Sequence, residues 1–159
     1  MNLRLLSVFL IFSIISCDDN KKTSLTNIED VQSVILENQN KWKQNSLIDY
    51  SFTYQRSPGD CPTADELPAL DINVEDGVVV SAYYSGTSEI ADVENAVTIN
   101  DIFSYQLGLV HGQAIQFSNN KNSSELPTFD SNLGYPISFF VDKSDNECDA
   151  IFNRVSNFQ

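Results

Sequence analysis

The 159-residue chain contains one histidine, one tryptophan, one methionine and three cysteines, and only nine basic residues against 22 acidic ones. Each scarcity removes a class of function. A single histidine and cysteines far apart offer none of the ligand spacings that zinc sites use, so no metal and no cofactor is expected. No serine or cysteine occupies a nucleophile-elbow context, and His111, in Leu109-Val110-His111-Gly112, has no evident nucleophile to serve. It reads as a turn histidine, and no catalytic residue is assigned. A net charge of −13 opposes nucleic acid and anionic lipid headgroups alike. A spanning helix needs about 20 apolar residues; the run from Leu5 to Ile15 is far too short to be one.

That short run has a different use. Met1-Asn2-Leu3-Arg4 gives it a charged start and Ser16 a small residue at its end, the parts of a secretory signal peptide. Ile14-Ile15-Ser16-Cys17 resembles the bacterial lipobox, in which two aliphatic residues and a small one precede a cysteine that becomes acylated after cleavage. More than one acyl chain, at about 0.8 kcal/mol per buried methylene, anchors durably where a single chain does not. The expected organisation is therefore a lipoprotein signal peptide over 1–16, a lipidated Cys17 with a polar tether over 17–25, and one domain over 26–159. Attachment to the membrane runs through the lipid on Cys17. The location is the bacterial cell envelope, with the periplasmic and surface faces both open.

The body is globular in composition, 42% apolar and 11% aromatic. Thr26-Asn27-Ile28-Glu29 has the form of a capping box, and Ile28, Val31, Ile35 and Trp42 continue at helical spacing toward Asn45, with Val34 and Leu36 widening the stripe. Asp49 to Arg56 alternates aromatic and polar residues as a half-buried strand does. Ser57 to Pro68, with three prolines and a glycine, is a loop. Leu70 to Val74 and Val78 to Tyr84 form a hairpin around Glu75-Asp76-Gly77. A three-residue bulged turn there sets Val74 against Val78 and Ile72 against Val80, keeping the apolar residues on one face. Thr98 opens a second helix with Ile99, Ile102, Phe103 and Leu107 on its core side and Gly108 near its end. Strands follow at Gln113–Ser118, Ile137–Asp142 and about Ala150–Phe158. The order α-β-β-β-α-β-β-β, with short connections, is that of an α+β fold: two helices packed on an antiparallel sheet.

With Cys17 lipidated, Cys61 and Cys148 remain as an even pair in an oxidising compartment, the condition for a disulfide; two free buried thiols are the alternative. Tyr50, Tyr54 and Arg56 share one strand and are residue types that anchor interfaces, but with Phe52 they read first as a core edge with Arg56 at its rim. Carboxylates at Asp142, Asp145 and Glu147, with Asn146, fall in a turn that lacks the order of a calcium loop.

Four segments, Tyr50 to Ser57, Val74 to Ser81, the Thr98-to-Phe103 helix start and Leu133-Gly134-Tyr135-Pro136-Ile137-Ser138 with Val141-Asp142, together resemble the bacterial family DUF6174, over about residues 40–158. Many members carry Cys-x-Cys after the Gln-Arg-Ser run. This chain has Pro58-Gly59-Asp60-Cys61 instead, so the resemblance leaves Cys61 in need of a distant partner and favours Cys148. It implies a fold and an envelope location but no activity. The chain is expected to be a non-catalytic binding or interaction module with an envelope protein as a partner. A carboxylate-dependent hydrolase is the alternative.

Overall fold

The computed structural model describes residues 27–65 and 67–159. The expected signal peptide, Cys17, the expected tether and Thr26 lie outside the described residues.

Helix α1 runs from Ile28 to Asn45 and is capped by Asn27, whose side chain accepts from the Glu29 amide at 3.0 Å. The cap stands one residue later than the expected Thr26. Its buried face is Val31, Ile35, Asn38 and Trp42; Leu36 is exposed and does not widen it. Helix α2, Ile99–His111, opens on a true capping box in which Thr98 and Asp101 exchange side-chain and backbone hydrogen bonds. It continues past Gly108 to a cap at Gly112, and exposed His111 closes its last turn, where a basic group suits the helix dipole.

The strands are β1 (Tyr50–Pro58), β2 (Leu70–Glu75), β3 (Val78–Tyr84), β4 (Gln116–Ser118), β5 (Thr128–Phe129), β6 (Pro136–Asp142) and β7 (Ile151–Ser156). They form one antiparallel sheet in the order β3-β2-β1-β7-β6-β4, with β5 against β6. The expected α+β architecture holds, with the two-residue β5 added. β4 is shorter than expected, and Ile115 just before it is exposed.

The β2–β3 hairpin differs from expectation. Its turn has two residues, Asp76 and Gly77, both with positive φ (49° and 74°), and pairs Glu75 with Val78 and Val74 with Val79. The core register is recovered further along by a bulge at Val80, after which Asn73 faces Ser81 and Ile72 faces Ala82. Val78 and Val80 are consequently exposed, while Val79 and Ala82 join the core.

The first and last long strands meet at the centre of the sheet, where β1 pairs β7. Tyr50, Phe52 and Tyr54 point from β1 into a single core shared with α1 and α2. Tyr50 stacks on Phe158, meets Trp42 edge-on, and accepts from the Ile99 amide at the start of α2. Trp42 Nε1 donates to Asn100 Oδ1 and ties the helices together. Gly134 explains the Leu-Gly-Tyr-Pro motif: its φ is +84°, and a Cβ there would stand 2.6 Å from the Asn38 carbonyl oxygen. No helix among the described residues is long and apolar enough to cross a membrane.

Candidate functional site

Side chains on a strand alternate in face, so Arg56 points to the same side as Tyr54, Phe52 and Tyr50. At that point β1 has run beyond the packed core. A cleft of about 380 Å³ opens between the end of β1, the start of β2, the 91–97 connection and the first turns of α2. Tyr54 and Arg56 line it from β1, Tyr105 and Ile102 from α2, and Leu67, Pro68, Leu70, Ala91 and Val97 supply apolar wall.

The polar groups of this cleft are unevenly satisfied. The Tyr54 hydroxyl donates to Asn153 Oδ1 at 2.8 Å, and burial raises its pKa well above the ordinary phenol range, so it stays neutral. Asp101 is committed to the Thr98 amide and hydroxyl, and Asp92 accepts from the Glu94 amide. The Arg56 guanidinium lies over the Tyr105 ring, 5.9 Å from its centroid. Arg56 Nε and the Tyr105 hydroxyl oxygen are both buried without a hydrogen-bond partner. Among the described residues no carboxylate forms an ion pair with Arg56. Such atoms are costly to leave unmatched, and here both belong to residues that line one cavity.

Of the three sequence candidates, Tyr54 and Arg56 reach this cleft; Tyr50 is spent in the core. Tyr105 was missed. As a single aromatic in a helix it reads as core, and only the path of β1 places it beneath a guanidinium.

A second cluster stands across the sheet from the cleft. Cys61 and Cys148 form a disulfide with Cα atoms 4.4 Å apart, joining the β1–β2 loop to the β6–β7 turn. Beside it, Asp60, Asp142 and Asp149 bring carboxylate oxygens within 4.8 Å of one another, a set with the hard oxygen chemistry that could hold a cation. Asp142 is held above the usual carboxylate range, chiefly by burial and then by a hydrogen bond with Asp149. Asp149 is held below it, first by the Ser144 hydroxyl. Of the turn carboxylates picked out in the sequence only Asp142 belongs to this set; Asp145, Asn146 and Glu147 are exposed. Asp60 and Asp149 are recruited through the Ala150 amide, which donates to Asp60 Oδ1, and through the neighbouring disulfide.

The helix-free face of the sheet carries a polar network at its centre. Thr53 donates to Asp71 at 2.6 Å and accepts from Asn157.

Fold and site together define an α+β protein with one core and a largely apolar cleft lined by Arg56 and Tyr105. The chain belongs to the family of unknown function DUF6174, whose model matches residues 34–159. No curated protein and no solved structure matches it.

Proposed function

We propose that this protein is a lipid-anchored, non-catalytic binding module of the bacterial cell envelope, and that the cleft between β1 and α2 seats its ligand. The lipobox ending in Cys17 supports the anchor. The observation that carries the binding reading is a cavity of largely apolar wall lined by Arg56 and Tyr105, each of which has a buried polar atom, Arg56 Nε and the Tyr105 hydroxyl, without a hydrogen-bond partner. A concave apolar site with a few convergent polar groups is what small-ligand seats share. An envelope protein as partner remains part of the proposal, the exposed rim of the cleft being where it would meet a loaded domain.

The test is equilibrium dialysis of the full chain in lipid nanodiscs against 1-octanol and octanoate, with protein-free discs as the blank. Saturable binding of either probe is expected, and Val97→Trp, which fills the cleft from a half-buried position, removes it. Binding that survives this substitution places the ligand elsewhere and ends the proposal.

A carboxylate-dependent hydrolase is the second reading. The closeness of the Asp60, Asp142 and Asp149 carboxylates favours it, with Asp142 pushed above and Asp149 below the usual carboxylate range, since pKa values driven apart are what general acid–base chemistry uses. Turnover of any ester, amide or glycoside that Asp149→Asn reduces by orders of magnitude would establish it.

A further inference from the structure

We infer that the ligand of the cleft is a small apolar monocarboxylate; this rests on the cleft being a binding site. Both unmatched atoms are donors. A guanidinium N–H can only donate, and the Tyr105 hydroxyl has a proton to give. The acceptors that line the cleft, Asp92 and Asp101, are already engaged by Glu94 and Thr98. What Arg56 lacks is an acceptor, and of the common acceptors a carboxylate best fits the forked edge of a guanidinium. Charge points the same way: Arg56 is a half-buried cation with no ion-pair partner among the described residues. The Tyr105 ring beneath it restrains the plane in which that edge is offered.

The walls decide the rest of the molecule. Leu67, Pro68, Leu70, Ala91, Val97 and Ile102 present hydrocarbon, so the body attached to the carboxylate is apolar. A volume of about 380 Å³ is near the lower end of small-molecule sites, so that body is short. Asp92 and Asp101 line the same cleft, each already fixed by backbone amides. They repel any negative charge not paired directly with Arg56, so the cleft takes one carboxylate at the guanidinium and disfavours phosphate esters and dicarboxylates.

The same dialysis separates this inference from the reading beneath it, using octanoate, 1-octanol and octanedioate. Octanoate is expected to bind at least about tenfold more tightly than the other two, the preference that one charge-assisted hydrogen bond confers. Arg56→Gln should lower octanoate to the level of 1-octanol, and Arg56→Lys, which keeps the charge without the fork, should fall between. An unchanged unfolding midpoint for both variants shows that they fold. Equal binding of octanoate and 1-octanol, blocked by Val97→Trp, would overturn the carboxylate inference and leave the cleft as a binding site. Octanedioate binding as tightly as octanoate would overturn the single-charge requirement. Absence of saturable binding by any probe would overturn both.

Discussion

At the scale of single residues, the least comfortable group in the core is Gln106. It is fully buried on α2, and neither its amide nitrogen nor its oxygen has a partner. Leaving such a group unmatched costs about 1–3 kcal/mol. Gln106→Leu, of similar volume, is therefore expected to stabilise the fold by that order, read as a higher urea midpoint. Asp142 makes a prediction about pH. Burial raises its folded pKa, so the fold binds this proton more tightly than the unfolded chain does. Its contribution to stability is then full in acid and falls as pH rises from the ordinary carboxylate value through the raised one. Asp149, held low, runs oppositely: its contribution is present at neutral pH and fades in acid. Asp142→Asn removes the first titration and leaves Ser144, the principal cause of the second, in place. The variant should be more stable than the parent at neutral pH, with the difference vanishing below the ordinary carboxylate range, in urea titrations across about pH 3 to 7. A variant less stable at neutral pH would mean that the charge on Asp142 is used, as it would be by a bound cation. Neither behaviour could be read from sequence. Gln106 sits one position from Leu107 in a helix whose apolar spacing absorbs it, and Asp142 acquires its shift chiefly from burial, which only the packing of the strands sets, and then from its hydrogen bond with Asp149.

At the scale of elements, most of the fold was legible, because period and caps are local. Thr98 with Asp101 announces α2, and Val31, Ile35 and Trp42 lay out the face of α1. The β2–β3 hairpin was misjudged for a physical reason. Requiring all apolar residues on one face in a single unbroken register forces a three-residue turn. The chain instead takes the tight Asp76-Gly77 turn and corrects the register with a bulge at Val80, leaving two valines in solvent. A bulge has no composition of its own, so nothing in Val78-Val79-Val80 announces it. The tight turn does depend on Gly77, whose φ of +74° is a conformation that side-chain-bearing residues resist, although a Cβ there would touch nothing within 4 Å. Gly77→Ala should therefore cost only the backbone strain, about 1–2 kcal/mol. Circular dichroism melts would read it as a modest loss of stability without loss of fold. A larger loss would mean that the turn also guides the pairing of β2 with β3.

At the scale of the whole molecule, the disulfide and the sheet order serve one arrangement. β1 and β7 are paired in the middle of the sheet although nearly the whole domain separates them in sequence. The Cys61–Cys148 bridge spans 87 residues close to where that pairing ends, at Pro58 and Ile151. On the chain-entropy model a loop of that length stabilises by about 4 kcal/mol. The bridge also requires an oxidising compartment to form, which agrees with export. The export proposal further requires that Cys17 hold the domain at the membrane without electrostatic help, since a chain of net charge −13 is repelled by anionic headgroups. Those two requirements can be separated. Cys17→Ala should leave the disulfide intact while shifting the protein out of the washed membrane fraction or leaving it uncleaved, as read by fractionation, mass and thiol labelling. High salt should not release the wild-type protein, because an acyl anchor is not screened. Release by salt alone would show that a protein partner, and not lipid, is the tether; that would make the partner, rather than the anchor, the first thing to identify.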